Sequence, residues 1–260
     1  MGERTSYEPG VFCWVDLATT DPEGAKAFYS ALLGWELEDL PADEAGTYTM
    51  ASVNGLHVAA LYPQPPDQAD SGAPPSWMNY ISVEDVEESA QRAQELGASV
   101  LAPPFDVAES GHQAVIADPQ GAIFSLWQAK EHFGAGLVND PGALAFNQLL
   151  TTDLDAAKSF YGDLLDWRSE SAGPDDTEFW LVYAGETMNG GMMNKPAEDH
   201  SPPNWLAYFT SGDLEASMEK VSELGGTVVG GPRPGGPGRI VVAQDPQGAF
   251  FALYEGEVDP

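Results

Sequence analysis

The sequence predicts an α+β fold in which four βαβββ modules form two cup-shaped sheets with their helices outside. Two observations predict it: an internal repeat divides the 260 residues into two copies, and each copy alternates helical segments with groups of short strand-like segments. We therefore predict a first domain over residues 1–130 and a second over 144–260. Residues 131–143 contain three glycines and a proline, which is typical of a linker.

Three pairs of segments carry the repeat, and they keep the same order in both copies. The matched segments are 12–21 with 145–153, 25–29 with 157–161, and 118–122 with 245–249. The last pair is identical, with the sequence Asp-Pro-Gln-Gly-Ala in both copies. The two copies therefore have the same predicted fold.

Each copy contains two segments with the features of a helix that begins after an aspartate. An Asp N-cap precedes acidic residues in the first turn, where the positive end of the helix dipole favours them. The four predicted N-caps are Asp21, Asp85, Asp153 and Asp213. Three of these helices end at a glycine that can take the left-handed C-cap conformation, and the fourth ends at Asp166.

Between the helices, apolar residues alternate in short runs, which is typical of strands with one buried face. Asn54 and Gly55 form a hairpin signal between two of these runs. The six strands predicted in the first copy span residues 11–18, 48–53, 56–62, 77–83, 112–117 and 123–127. Each module is thus a strand, a helix and about three strands, and two modules form one cup.

Composition excludes several classes of function. The chain has 41 acidic and 10 basic residues and a formal net charge of −31, so it would repel nucleic acid. It has no apolar run long enough to span a membrane and no signal-peptide core. Its one cysteine, Cys13, excludes an internal disulfide. We expect a cytoplasmic protein that is a monomer or a weak homodimer and binds neither nucleic acid nor membrane.

Two motifs resemble those of the vicinal oxygen chelate superfamily, which includes glyoxalase I, bleomycin-resistance proteins and extradiol dioxygenases. One is the Asp-x-Glu-x-Ala-x-x-Phe-Tyr stretch that begins at Asp21 and leads to Leu-Gly-Trp, and the other is the Asp-Pro-x-Gly turn. The chain is particularly similar to tandem-cup glyoxalase-like proteins of actinobacteria. The resemblance implies two cups, a small-molecule ligand, and a divalent metal held by His or Glu from four strands.

The positions that the resemblance assigns to metal ligands carry neither acids nor imidazoles. They are Trp14, Ala60, Met78 and Ser125 in the first copy, and Phe146, Gly191, Leu206 and Ala252 in the second. These side chains supply neither the charge nor the lone pairs that a divalent cation needs. We therefore expect no metal and no other cofactor.

Strand alternation identifies the side chains that face the open side of each cup. The candidate ligand-binding residues are Trp14, Tyr62, Met78, Ser125, Trp127, Phe146, Gln148, Met193, Tyr208 and Tyr254. This aromatic and thioether lining favours a flat, largely apolar ligand of the aromatic class. The alternative is that these residues pack the two cups against each other.

Asp16 and Tyr80 are the candidate catalytic residues. A carboxylate beside Trp14 on an apolar wall should have a raised pKa and could transfer a proton, while Tyr80 or Tyr62 polarises the substrate. The repeat counterpart of Asp16 is Gln148, which cannot titrate, so the first copy is the better candidate for chemistry. The alternative is an aspartate that is hydrogen-bonded as plain structure.

Two further residues occupy equivalent strand starts and could contact a ligand at a cup rim: His112 and Arg239. We expect His57 to pack on the helix side and Cys13 to be a small buried hydrophobe. The leading functional hypothesis is metal-independent binding of an aromatic metabolite, with cofactor-free acid–base catalysis of the isomerase, lyase or cyclase type. The alternatives are sequestration of a drug or natural product without turnover and, third, a metal-dependent lyase or dioxygenase.

Overall fold

A computed structural model describes residues 2–42, 46–173 and 176–257. In the first half, the elements are β1 (Phe12–Thr19), α1 (Pro22–Leu33), β2 (Glu36–Ala42), β3 (Gly46–Val53), β4 (Leu56–Pro63), α2 (Pro66–Asp70), β5 (Ser76–Ser82), α3 (Val86–Glu95), β6 (Ser99–Val107), β7 (Gly111–Ala117) and β8 (Ile123–Ala129). In the second half, they are β9 (Leu144–Thr151), α4 (Leu154–Leu165), β10 (Trp167–Gly173), β11 (Asp176–Ala184), β12 (Thr187–Asn194), β13 (Asn204–Thr210), α5 (Leu214–Glu223), β14 (Thr227–Gly235), β15 (Gly238–Gln244) and β16 (Phe250–Glu255).

Each half forms one mixed eight-stranded sheet. The strand orders are β2-β3-β4-β1-β5-β8-β7-β6 and β10-β11-β12-β9-β13-β16-β15-β14. Within each sheet, two βαβββ modules meet along their first strands, which are antiparallel (β1 with β5, and β9 with β13). The predicted α+β fold of four modules in two sheets is therefore confirmed. We call the helix-free faces of the first and second sheet cup 1 and cup 2.

The predicted helices are confirmed, and their N-caps act as expected. The carboxylates of Asp21, Asp85, Asp153 and Asp213 each accept a hydrogen bond from the backbone N–H three residues later. Gly34 ends α1 in the left-handed conformation with φ 73°. Asp166 takes the same conformation at the end of α4, with φ 56°, although it carries a side chain.

The six predicted strands are present, with ends within two residues of the prediction. Two strands of the first half were not among them: β2 and β6. Both lie at the edges of the sheet, where a residue without a backbone N–H is tolerated. β2 contains Pro41, and β6 contains Pro103 and Pro104, so the sequence of neither strand reads as an alternating run.

The helix-bearing faces of the two sheets pack on each other. On one side, Phe28 and Tyr29 of α1 share a buried cluster with Phe209 and Phe251 of the second half. On the other side, Phe124 shares a cluster with residues of α4 and with aromatic residues of the second sheet. The cup faces hold two separate clusters. The alternative in which the two open faces pack against each other is therefore wrong.

The repeated motifs meet across the contact between the halves. The hydroxyl of Tyr29 donates to Oδ2 of Asp245, and that of Tyr161 donates to Oδ2 of Asp118, each at 3.0 Å. The other oxygen of each aspartate accepts backbone N–H groups of its own Asp-Pro-Gln-Gly turn. Each turn aspartate thus orders its own loop and also binds the opposite half of the chain.

The helices of the described ranges have at most 12 residues, and none of them is both long and apolar enough to cross a membrane.

Candidate functional site

Cup 1 gathers most of the residues that alternation predicted on its face. Trp14 lies opposite Tyr80 and Asp16 lies opposite Met78 in the pairing of β1 with β5. Tyr80 in turn lies beside Ser125 of β8. Trp127 belongs to the same cluster as Trp14 and Tyr80, and Tyr62 stacks on Tyr48 with ring centroids 5.9 Å apart. Strands of one sheet present alternate residues to one face, which is why these side chains converge.

Asp16 lies at the centre of this cluster and is 2% exposed. Its Oδ2 atom accepts hydrogen bonds from the hydroxyls of Tyr80 at 2.7 Å and Tyr48 at 2.9 Å. Its Oδ1 atom is inaccessible and has no hydrogen-bond partner within the described chain. A buried acceptor without a donor costs about 1–3 kcal/mol, so the carboxyl is held at one oxygen and unsatisfied at the other.

Burial raises the pKa of Asp16 from 3.8 to about 7, although the bonds from Tyr80 and Tyr48 act in the opposite direction. Desolvation disfavours the charged form, and it outweighs the two hydroxyl donors. The carboxyl is therefore present in both protonation states near neutral pH. A group with this pKa can accept a proton and return it.

Tyr48 and Gln113, which the sequence analysis did not single out, extend the network. Gln113 donates from Nε2 to the hydroxyl oxygen of Tyr80 at 3.2 Å and to Oγ of Ser125 at 2.8 Å. Trp14 donates from Nε1 to the hydroxyl oxygen of Tyr48 at 3.1 Å. Each of the two tyrosine hydroxyls thus accepts one hydrogen bond and donates another to Asp16. We call this set the Asp16 network: Trp14, Asp16, Tyr48, Tyr80, Gln113 and Ser125.

His132, in the segment predicted as a linker, also packs on cup 1. Its ring lies 4.6 Å from that of Trp14, nearly perpendicular to it, and its backbone oxygen accepts a hydrogen bond from Nε1 of Trp127 at 2.9 Å. Its Nε2 atom is buried without a partner among the residues described. Burial, together with the nearby His57, lowers the pKa of His132 to about 4. The imidazole is therefore neutral at pH 7.

Cup 2 brings together its own predicted residues but has few polar groups. Phe146 packs edge-on against Tyr208, whose hydroxyl donates to Oε1 of Gln148. Tyr254 and Tyr208 belong to the cluster on this face, and Met193 pairs with Phe179 between β11 and β12. A Cβ on Gly191 would lie 2.5 Å from the ring of Phe179, so this ring fills the space in front of that strand.

The strand registers equate each residue of the Asp16 network with a residue of cup 2. In the order Trp14, Asp16, Tyr48, Tyr80, Gln113 and Ser125, the counterparts are Phe146, Gln148, Phe179, Tyr208, Ile240 and Ala252. Only Gln148 and Tyr208 keep a polar side chain. The titratable carboxyl and most of its supporting hydrogen bonds are therefore present in cup 1 alone.

His112 and Arg239 lie on the helix-bearing faces rather than in the cups. His112 Nδ1 is 3.6 Å from a carboxylate oxygen of Glu87 in α3, and Arg239 is ion-paired with Glu215 of α5 and with Glu255. Both follow the alternation of their strands, in which the next residue, Gln113 or Ile240, faces the cup. Their predicted contact with a ligand at a rim has no support from this placement.

The positions of His57 and Cys13 differ in how they follow the expectations for them. His57 is exposed and lies 6.5 Å from His132, ring to ring, so it does not pack on the helix side. Cys13 is fully buried, as expected. A register shift between Phe12 and Trp14 places it in the cup 1 cluster, which strict alternation does not predict.

The donor atoms of the cups do not fit a metal site of the kind the resemblance implies. Ala60 and Met78 lie beside Asp16 in the sheet, and Trp14 and Ser125 lie beside Tyr80. Asp16 is the only carboxylate in the network. Within residues 2–42, 46–173 and 176–257, the group of acids close enough to share an ion comprises Asp213, Glu215 and Glu255. The guanidinium of Arg239 already binds two of those carboxylates.

A family model and two groups of relatives match the chain. The model described as the Glyoxalase/Bleomycin resistance protein/Dioxygenase superfamily matches residues 12–126 and 143–253. The glyoxylase-like protein CFP32 of Mycobacterium tuberculosis is 39% identical, and the alignment covers 98% of each chain. The anthracycline biosynthesis protein DnrV of Streptomyces peucetius is 30% identical over 96% of this chain and 95% of that protein.

Solved structures share the fold at low identity. The Mn(II)-bound glyoxalase from Novosphingobium aromaticivorans superposes with a TM-score of 0.66 at 16% identity, over 96% of this chain and 84% of that one. The 2,3-dioxygenase LapB from Pseudomonas sp. KL28 gives a TM-score of 0.67 at 17% identity, over 98% and 95%. At such identities, the likeness concerns the fold and not the residues of a site.

Proposed function

This chain belongs to the glyoxalase/bleomycin resistance protein/dioxygenase superfamily, and we propose that its cup 1 binds a small aromatic metabolite without a metal ion. We propose further that Asp16 transfers a proton to or from that ligand. The observation that carries the proposal is the buried Oδ1 atom of Asp16, which has no partner within the described chain, beside an Oδ2 atom held by two tyrosines.

The lining of cup 1 supports an aromatic ligand. Trp14, Tyr80 and Trp127 provide edge and face contacts for a planar ring. Met78 pairs with Asp16 in the sheet and is half-buried, and we propose that its flexible thioether side chain covers the carboxyl. A ligand that displaces the Met78 side chain would reach Asp16 in an environment from which water is excluded.

The network assigns distinct roles in a proton transfer. In its ionised form, Asp16 accepts a proton from an O–H or C–H group of the ligand at Oδ1, and it returns the proton to another ligand atom. Such a step needs no oxidant and suits isomerisation, ring closure, hydration or elimination. Tyr80 was expected to polarise the substrate, but its hydroxyl proton is donated to Asp16. We therefore assign Tyr80 and Tyr48 to positioning the carboxyl.

The relatives support the class of ligand. DnrV is described as an anthracycline biosynthesis protein, and anthracyclines are planar polycyclic aromatic compounds. We propose that this chain acts on a metabolite of the same broad kind, either as a catalyst or as a protein that sequesters it. The absence of a metal is proposed from the donor atoms of the cups, which differ from the His and Glu set of the resemblance.

Ligand titration of metal-stripped protein tests the binding. Chelator-treated protein is titrated with planar aromatic compounds, including an anthracycline aglycone, and tryptophan fluorescence is recorded. We expect one ligand per chain, and we expect Trp14→Ala to weaken binding at least tenfold because it removes an aromatic face of cup 1. Trp180→Ala is the matched control, because this tryptophan lies outside the cups, where Lys158 contacts its ring. Loss of binding on metal removal, or after Phe146→Ala in cup 2, would contradict the proposal.

Measuring product formation distinguishes a catalyst from a protein that only sequesters its ligand. If Asp16 transfers a proton, Asp16→Asn should lower kcat by about 10²–10⁴-fold and affect affinity much less. If the protein only sequesters its ligand, the wild type will bind one equivalent without forming product, and the substitution will not change a rate.

A further inference from the structure

Cup 1 contains two buried polar atoms without hydrogen-bond partners among the described residues: Oδ1 of Asp16 and Nε2 of His132. The other such atoms belong to three glutamines, Gln64, Gln120 and Gln247, which lie outside both cups. Buried polar groups in native proteins are almost always paired. The two atoms of cup 1 therefore indicate which polar groups a ligand of this cup should carry.

The charges around Asp16 restrict the ligand further. Burial and the hydroxyls of Tyr48 and Tyr80 shift its pKa, and no cation is among the causes. His132 is neutral at pH 7 because burial lowers its pKa to about 4. The chain as a whole carries a net charge of −31. An anionic ligand such as a carboxylate would thus meet the ionised form of Asp16 with no cation to neutralise either charge.

The number of hydrogen-bond acceptors in cup 1 distinguishes between an ammonium group and a hydroxyl group on the ligand. In its ionised form, Asp16 leaves one free acceptor atom, Oδ1, because Oδ2 already accepts two hydroxyls. An ammonium group has three N–H donors and would leave at least one of them unsatisfied at Oδ1, which can accept two hydrogen bonds at most. A hydroxyl has one donor, which matches one acceptor. Its own oxygen can accept a hydrogen bond in return, and a neutral imidazole such as His132 can supply one.

We propose that the ligand of cup 1 is a neutral hydroxyarene whose hydroxyl donates to Oδ1 of Asp16 while its ring packs on the aromatic side chains of the cup. This inference rests on the proposed function, since it names the class of aromatic compound that the same site takes. It goes further in one respect: it requires a free hydroxyl and excludes the corresponding ether, carboxylate and ammonium compounds as good ligands.

Four naphthalene derivatives that differ only in this group test the inference: 2-naphthol, 2-methoxynaphthalene, 2-naphthoate and 2-naphthylmethylamine. Each is titrated at pH 8, where Asp16 is mostly ionised, into metal-stripped wild-type protein by calorimetry. We expect 2-naphthol to bind roughly tenfold to a hundredfold more tightly than its methyl ether, because a hydrogen bond to a charged acceptor is lost in the ether. The carboxylate and the amine should bind more weakly than 2-naphthol.

The variant Asp16→Asn tests whether the preference for 2-naphthol over its ether depends on this carboxyl. The amide oxygen of this variant can still accept the two tyrosine hydroxyls, which places its NH₂ group where Oδ1 was. We expect the preference for 2-naphthol over the ether to fall below about threefold, since the free acceptor has become a donor. Asp245→Asn changes another buried aspartate that accepts from a tyrosine but lies outside the cups, and it should keep the wild-type preference.

The possible outcomes distinguish this inference from the proposed function. If neither 2-naphthol nor its ether binds, aromatic binding in cup 1 is overturned together with the inference. If both bind equally, or if the preference survives Asp16→Asn, the hydroxyl inference is overturned and aromatic binding stands. Tighter binding of the carboxylate or the amine also overturns it. Should the variant fail to fold, the wild type decides: bound 2-naphthol should show a red-shifted long-wavelength absorption band, and an unchanged band contradicts the inference.

Discussion

At the scale of single residues, Asp16 combines two opposing effects on one carboxyl group. Two tyrosine hydroxyls stabilise its charged form, yet burial without a cation raises its pKa to about 7. The same surroundings leave one of its oxygens unpaired within the described chain. A residue that served only to tie strands together would have both oxygens satisfied, so this arrangement favours a role with a ligand.

The raised pKa of Asp16 predicts a pH-dependent difference in stability between the wild type and Asp16→Asn. The folded protein holds a proton that the unfolded chain releases above pH 4, so the stabilising contribution of the neutral carboxyl is complete below pH 4 and is lost as the pH rises through 7. Relative to the variant, the wild type should lose up to about 4 kcal/mol of unfolding free energy over this range. Urea unfolding at several pH values measures it.

Ser125→Ala is the control for this experiment, because it alters the same network without removing a titratable group. Its stability relative to the wild type should change little between pH 4 and 8. A pH-independent difference for Asp16→Asn would show that the carboxyl has an ordinary pKa in the folded protein.

At the scale of elements, the four long helices share an N-cap aspartate but differ at their C-termini. Gly34 and Asp166 both take the left-handed conformation, with φ of 73° and 56°. Only glycine does so without a steric penalty. The space around a Cβ at Gly34 is open, so conformation alone distinguishes the two positions.

Substitutions at these two C-cap positions should therefore change the free energy of unfolding in opposite directions. We expect Asp166→Gly to stabilise the protein by about 0.5–1 kcal/mol and Gly34→Ala to destabilise it by about 1 kcal/mol. Thermal or urea unfolding of the two variants beside the wild type measures both effects. Destabilisation by Asp166→Gly would contradict this prediction, because it would mean that a contact of the Asp166 side chain stabilises the protein by more than the left-handed conformation costs.

Strand alternation and helix caps allowed much of the fold and part of the site to be predicted from the sequence. Asp16 and Tyr80 were found because β1 and β5 pair regularly from Trp14 onward, so their faces can be assigned. Tyr48 and Gln113 were missed because the register of β3 and β7 against their neighbours follows from pairing in three dimensions. His132 lies in a segment without periodicity, and the side of the sheet on which His112 and Arg239 lie depends on the same register.

At the scale of the whole molecule, the two halves form one shared core. The repeated Phe-Tyr and Asp-Pro-Gln-Gly motifs of one half bind those of the other through Tyr29 with Asp245 and Tyr161 with Asp118. Each tyrosine hydroxyl also accepts a bond from a tryptophan of its own half, Trp77 or Trp205. The motifs that mark the family thus also hold the two cups in a fixed arrangement.

This duplicated contact predicts cooperative unfolding and equal effects of equivalent substitutions. Tyr29→Phe and Tyr161→Phe should each destabilise the protein by about 1–3 kcal/mol, because each leaves one buried carboxylate oxygen and an indole N–H without a partner. Unfolding should remain a single transition when followed by both circular dichroism and tryptophan fluorescence. Tyr183→Phe is the control: the ring of Tyr183 faces Arg168, and the substitution should change the free energy of unfolding little. Two separate transitions would indicate that the halves fold independently.

A crystal structure of metal-stripped protein grown with 2-naphthol tests the proposal for cup 1 most directly. We predict electron density for one naphthol in cup 1, with its oxygen within hydrogen-bond distance of Oδ1 of Asp16 and its ring against the aromatic lining. An ion coordinated in either cup of untreated protein, or a naphthol bound in cup 2 alone, would contradict it.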